Sequence, residues 1–137
     1  MLTNTFSLPQ SSGWLPNWML FVSTLALFNT VQNYVSPTLS KRVYAAKPDQ
    51  VSPLANRLFG TWTLASACIR LYAAYNINNK ELYNLAFISY LIAFFHFQSE
   101  LLIYKTCVVG KGWIPSAVVS TVSLVWMTLQ RDFYLGA

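Results

Sequence analysis

The chain has 137 residues, of which 55% are hydrophobic, 16% aromatic and only 9% charged, and its mean hydropathy is +0.40. Soluble domains carry about 25% charged residues, so the composition excludes an ordinary water-borne globule, and its hydrophobicity excludes a disordered chain. The net charge of +5 comes from nine Lys and Arg against four Asp and Glu; the basic residues stand singly between apolar runs and form no single face, which fits membrane flanks and excludes a nucleic-acid surface.

In chain order, no residue from Met1 to Ser40 is charged, and the apolar stretch over about 14–35 supplies the ~20 residues of a spanning helix. The region has no basic n-region and no short apolar core, so it is expected to remain as an anchor and not to be cleaved as a signal peptide. A loop over about 36–56 follows, with Pro37, Pro48 and Pro53 among Lys41, Arg42, Lys47 and Asp49. Prolines at that spacing break long helices, although the KRVYAAK stretch has the length for a turn or two on the membrane surface. The second span is predicted over 57–77, interrupted only by Arg70. A third covers 81–105, with His96 and Glu100 near its end, and a fourth covers 112–131. The row Ser116, Ser120 and Ser123 on the fourth fits a close-packing face of small residues.

Only helices or closed barrels satisfy the backbone in hydrocarbon, and these runs are too long and evenly apolar for barrel strands. The predicted fold class is an all-α membrane protein, a single four-transmembrane-helix bundle. Loops one and three share a side and hold Lys41, Arg42, Lys47, Arg57, Lys105 and Lys111, whereas the other side holds Lys80 and Arg131. By the positive-inside rule the two loops face the cytosol and both termini the lumen. Trp14, Trp18, Trp62, Trp113, Tyr34, Tyr75, Tyr83 and Tyr104 fall near the predicted helix ends, where amphipathic rings prefer to sit.

Polar groups at membrane depth are the candidate functional residues. Arg70 and Glu100 fall on the order of 13 Å apart along the membrane normal at 1.5 Å per residue, which argues against an ion pair; Arg57 and the amides Asn29, Gln32 and Asn33 of helix one are the expected partners of Glu100. His96 and Glu100, four apart, share a helix face and read either as a proton-transfer or metal dyad or as a polar seam that fixes packing. Arg70 reads either as a snorkelling cation or as structurally paired. The two cysteines, Cys68 and Cys107, allow no disulfide framework or multi-cysteine zinc site and are expected as buried thiols.

Enzyme chemistry has little material. One histidine is too few for a membrane di-iron oxygenase, Gly110 and Gly112 around Lys111 lie in a loop and not in a dinucleotide turn, and Asp49 and Asp132 lie outside the spans. No metal or cofactor is expected.

The ordered strings GWLPNWMLFVS, RLFGTWTLASACIRLYAAY, FFHFQSELLIY and SLVWM, with the K-R-V-Y and GKG elements between them, resemble the ergosterol biosynthetic protein 28 family from about Gly13 to Tyr134. The family pattern matches Arg57, Phe59, Gly60, Thr61, Trp62 and Arg70, then His96, Phe97, Ser99 and Glu100. The resemblance implies a non-catalytic, multi-pass protein of the endoplasmic reticulum membrane. It would act as a scaffold that tethers the sterol C-4 methyl oxidase, the decarboxylating C-3 sterol dehydrogenase and the 3-keto sterol reductase. Membrane lipid, a bound sterol and a second copy of the chain are further candidate partners. Two expectations go with this. Arg57, Thr61, His96, Ser99 and Glu100 form an internal polar cluster. The alternative to a scaffold, a protein that binds and passes on a sterol intermediate, would show a groove lined by aromatic residues such as Phe94, Phe95 and Trp126.

Overall fold

Prolines and polar caps set the limits of the helices in the computed structural model, which describes residues 8–9 and 13–136; most of the uncharged segment ahead of the first helix, and Ala137, lie outside the described residues. Helix α1 (Leu15–Val35) carries Pro16 in its first turn, where a missing N–H costs nothing, and ends ahead of Pro37. The basic loop folds as a short helix α2 (Thr38–Val43) and a 3-10 turn over Pro48–Gln50, so only the KRV part of KRVYAAK is helical. Helix α3 (Pro53–Tyr75) starts four residues earlier than the sequence suggested, because Ser52 caps it by accepting the Ala55 N–H and Pro53 stands at the first position. Asn79 caps α4 (Lys80–Leu102) in the same way through the Leu82 N–H.

Helix α4 stops three residues short of the expected 105. Its last turn is closed by the Ile103 and Tyr104 N–H groups on the Ser99 carbonyl, and Lys105 takes a left-handed φ of 57° that turns the chain back over the helix end. Helix α5 (Trp113–Leu129) fills the last predicted segment to within two residues of its end, and the five-residue α6 (Arg131–Leu135) continues beyond it, the bend falling at Gln130, whose side chain accepts the Trp126 indole N–H.

The four long helices run up, down, up, down. Thr30 meets Gly60 and Thr63 while Asn33 meets Asn56, Arg70 meets Ser89 while Phe59 meets Phe97, and Tyr83 meets Met127 while Trp113 meets Phe97. Each pair is antiparallel. No strand occurs among the described residues. Of the four helices, α4 is long and apolar enough to cross a membrane by itself, and α5 is apolar but 17 residues long. Helices α1 and α3 interrupt their apolar runs with amides, hydroxyls and Arg70.

Two apolar clusters hold the ends of the bundle. Leu15, Met19, Val22, Ala73, Ala74, Tyr83, Tyr90, Met127 and Tyr134 form the larger one, at the end where α1 begins and α5 finishes. Val43, Phe59, Ala93, Phe97 and Cys107 form the smaller at the opposite end, where loops one and three meet. There the Ala46 N–H donates to the Thr106 carbonyl. Gly112 lies so close to the Arg42 backbone that a Cβ at that position would stand 2.0 Å from its carbonyl oxygen. Outside these clusters the helices present large apolar side chains, among them Phe95 at 72%, Phe28 at 59% and Leu85 at 46% exposure. Soluble monomers seldom expose contiguous apolar surface on this scale.

Candidate functional site

The expected five-residue polar cluster does not form. Arg57 is exposed, and Thr61, also exposed, bonds the Tyr34 hydroxyl at 2.6 Å and the Arg57 carbonyl. Ser99 turns back onto the His96 carbonyl. Glu100 accepts from the Thr106 hydroxyl at 2.5 Å, and its carbonyl receives the Thr106 and Cys107 N–H groups. Loop three therefore takes the place expected for Arg57 and the helix-one amides. The reason is the left-handed turn at Lys105, which brings Thr106 back within reach of a carboxylate six residues earlier.

His96 finds its partner on loop one. The Tyr44 hydroxyl lies 2.6 Å from its Nε2, and the imidazole sits among the edges and faces of Tyr44, Trp62 and Phe97. Trp62 is thus part of the interior, not an interface ring at a helix end. Burial holds the Tyr44 hydroxyl far above its ordinary range, with Cys107 and Glu100 adding to the effect, so Tyr44 stays protonated. Burial also raises the Cys107 thiol. Together Tyr44, His96, Glu100 and Thr106 line a recess of about 280 Å³ at the loop end of the bundle. No group of three or more His, Cys, Asp or Glu side chains with metal-binding proximity occurs among the described residues. As placed, the arrangement clasps two loops onto α3 and α4.

A second polar system, between α1 and α3, escaped the sequence reading. Thr30 bonds the Gly60 carbonyl and the Thr63 hydroxyl. Asn56 donates to the carbonyls of Asn33 and Ser36. Ser40 has one hydroxyl proton yet faces two amide oxygens, Asn33 Oδ1 at 2.8 Å and Asn56 Oδ1 at 2.5 Å, while Asn33 Nδ2 is buried with no acceptor. With the oxygen and nitrogen of the Asn33 amide exchanged, Asn33 Nδ2 donates to the Ser40 oxygen and the Ser40 hydroxyl donates to Asn56 Oδ1. Gly60 permits the close approach; a Cβ there would meet Tyr34 and Asn33 atoms at 3.1–3.2 Å. The signal lay in the spacing: Thr30 with Asn33, and Asn56 with Gly60 and Thr63, recur three or four residues apart and so share a helix face.

Arg70 is paired inside the bundle and does not snorkel. It is 6% exposed, donates from Nε to the Ser89 hydroxyl at 3.0 Å and from Nη2 to the Ser89 carbonyl at 3.2 Å, and lies 4.0 Å over the ring of Tyr90. On α5, Ser120 and Ser123 are buried as expected for a packing face, and Ser123 accepts the Trp18 indole N–H. Cys107 is buried but Cys68 is exposed on α3, which corrects the expectation of two buried thiols.

The bundle also encloses a lateral cavity. Helices α1 and α5 touch at one end, through Trp18 with Ser123 and Trp126. A cavity of about 350 Å³ lies between the four helices, running from Arg70 and Tyr90 past Trp62 and Phe97 to Gly112 beneath the loops. Aromatic rings line it, but they are not the ones expected: Phe94, Phe95 and Trp126 take no part in its wall, and Phe95 points outward instead.

Residues 15–125 match the model of a protein family described as Erg28 like protein. Among curated relatives, the ergosterol biosynthetic protein 28 of Saccharomyces cerevisiae is 47% identical over 135 residues, which cover 98% of this chain and 91% of that protein. The protein of the same name from Candida albicans is 50% identical over 126 residues, covering 92% and 91%. The human ergosterol biosynthetic protein 28 homolog is 38% identical over 114 residues, covering 82% and 81%. No solved structure matches.

Proposed function

The chain belongs to the Erg28-like family, and from that membership we propose that it serves ergosterol biosynthesis as a non-catalytic scaffold in the endoplasmic reticulum membrane, spanning the bilayer four times. The partners in this reading are the sterol C-4 methyl oxidase, the decarboxylating C-3 sterol dehydrogenase and the 3-keto sterol reductase. The observation that supports it best is the distribution of surface: a girdle of exposed apolar side chains around the helices, and a basic end where loops one and three lock together. The girdle suits lipid and partner spans. The basic end, with Lys41, Arg42, Lys47, Lys105 and Lys111, suits the cytosolic side by the positive-inside rule, with both termini lumenal.

Tethering acts through effective concentration, which reaches about the millimolar range for short connections, so an intermediate dissolved in lipid meets the next enzyme before it diffuses away. The test is crosslinking capture from membranes with photoreactive probes at Lys41, on the basic loop, and at Val122, on the exposed face of α5. Recovery of the demethylation enzymes from either probe supports the scaffold, and the stronger probe tells loop contact from span contact. Capture of none of them from either position overturns it. The second reading, a protein that holds the sterol intermediate itself, is favoured by one observation, the lateral cavity with its aromatic wall.

A further inference from the structure

Arg70 is a cation at membrane depth whose charge is only partly answered. Ser89 occupies Nε and Nη2, and the Tyr90 ring occupies one face of the guanidinium. Among the described residues Nη1 has no acceptor and no carboxylate approaches Arg70. Beside it the Tyr90 side chain is fully buried and its hydroxyl makes no hydrogen bond. The Ser123 hydroxyl, which accepts the Trp18 indole N–H, keeps a second lone pair and its own proton for its neighbour Tyr90. Arg70 and Tyr90 both line the lateral cavity. A buried cation without a counter-anion is costly. A buried cation with an unspent donor therefore borders this space, and its complement is an anionic oxygen.

The rest of the cavity specifies the body of such a ligand. Its volume of about 350 Å³ falls within the roughly 300–1,000 Å³ of small-molecule sites. From Phe59 to Arg70 along α3 is about 16 Å at 1.5 Å per residue; Phe59, Trp62 and Phe97 cluster at the far end of the cavity, and Val22, Leu25 and Ala93 continue the apolar lining. We infer that the lateral cavity is a binding site for a sterol-sized lipid carrying a carboxylate, the carboxylate held by Arg70 and the ring system reaching along the cavity toward Phe59, Trp62 and Phe97. The identification of the body as a sterol rests on the proposed role in sterol C-4 demethylation; the carboxylate rests on Arg70. The two agree in their chemistry. A methyl group that one enzyme oxidises and the next removes by decarboxylation must pass between them as a carboxylate, so the site would take the product of the oxidation and release it to the decarboxylating step.

The experiment uses the purified full chain in phosphatidylcholine nanodiscs and three labelled probes: a 4-carboxysterol, the 4-methylsterol of the same skeleton, and oleate. The acid should bind about tenfold or more tightly than the methylsterol, the size expected for a charge-assisted hydrogen bond. Arg70→Gln should abolish that preference, Arg70→Lys should keep part of it, and Ala26→Trp, which fills the cavity from α1 and leaves Arg70 in place, should weaken both sterols. Equal affinity for acid and methylsterol overturns the proposal, as does no binding of either. Displacement of the acid by oleate at equal concentration, or by phosphatidylinositol added to the nanodisc, also overturns it, because the site would then select a fatty acid or a headgroup. If Arg70→Gln fails to accumulate, Arg70→Lys and Ala26→Trp carry the test. Capture of the enzymes by the unaltered chain reads the scaffold separately: capture without preference for the acid sinks the cavity assignment alone, and preference for the acid without capture sinks the scaffold alone.

Discussion

Thr106 and Tyr44 hold the loop end through single side-chain bonds, so their removal has a definite expected size. Thr106→Val deletes a hydroxyl given to the Glu100 carboxylate and should lower stability by about 1.5–3 kcal/mol, the range for hydrogen bonds to charged groups, read as a shift in thermal unfolding in detergent. Glu100→Gln keeps an acceptor oxygen and should cost less than Thr106→Val; the reverse order would show that the charge, not the bond, matters. Tyr44 carries a pH signature. Its folded-state value lies above the ordinary 10.0 because burial penalises the phenolate, so the unfolded chain loses this proton first, and the stability tied to Tyr44 is complete below about pH 10 and declines as pH rises further. Tyr44→Phe should flatten that alkaline decline relative to the unaltered chain in melts between pH 9 and 11.

Helix pairing depends on the α1–α3 seam more than on apolar packing alone. Asn56→Leu removes two donated bonds and leaves the carbonyls of Asn33 and Ser36 without them; it should destabilise by about 1–3 kcal/mol and loosen α1 first, which faster hydrogen exchange in residues 28–35 would report. Gly112→Ala drives a methyl into the Arg42 backbone and should part loops one and three. Much of this level was legible in the sequence. The four long helices follow from the charge-free runs, and the early start of α3 is written in the Ser52-Pro53 pair, since proline breaks a helix interior but suits its first turn. The partners of Glu100 and His96 were not legible. A depth argument locates residues along the bundle axis but carries no information about loops that fold back, and both partners, Thr106 and Tyr44, come from such loops. Arg70 was legible as a charge at membrane depth, but its burial and its partner Ser89 required knowing which faces of α3 and α4 meet.

For the whole molecule, the surface makes the membrane reading directly testable through its two thiols. Cys68 is exposed on α3 and Cys107 is buried beside the loops, with its thiol raised by burial. In intact membranes a charged, water-soluble maleimide should label neither, since lipid shields one and protein the other, and both should react after denaturation in detergent. Rapid labelling of Cys68 in intact membranes would mean that α3 faces water. The clasp between loops one and three adds an evolutionary consequence. It is made by main-chain atoms, the Ala46 N–H on the Thr106 carbonyl and the Gly112 backbone against that of Arg42, so it places no demand on the identities of Lys41, Lys47 or Lys111. Those positions can drift among basic side chains to match whatever a binding enzyme presents while the joint beneath them stays the same.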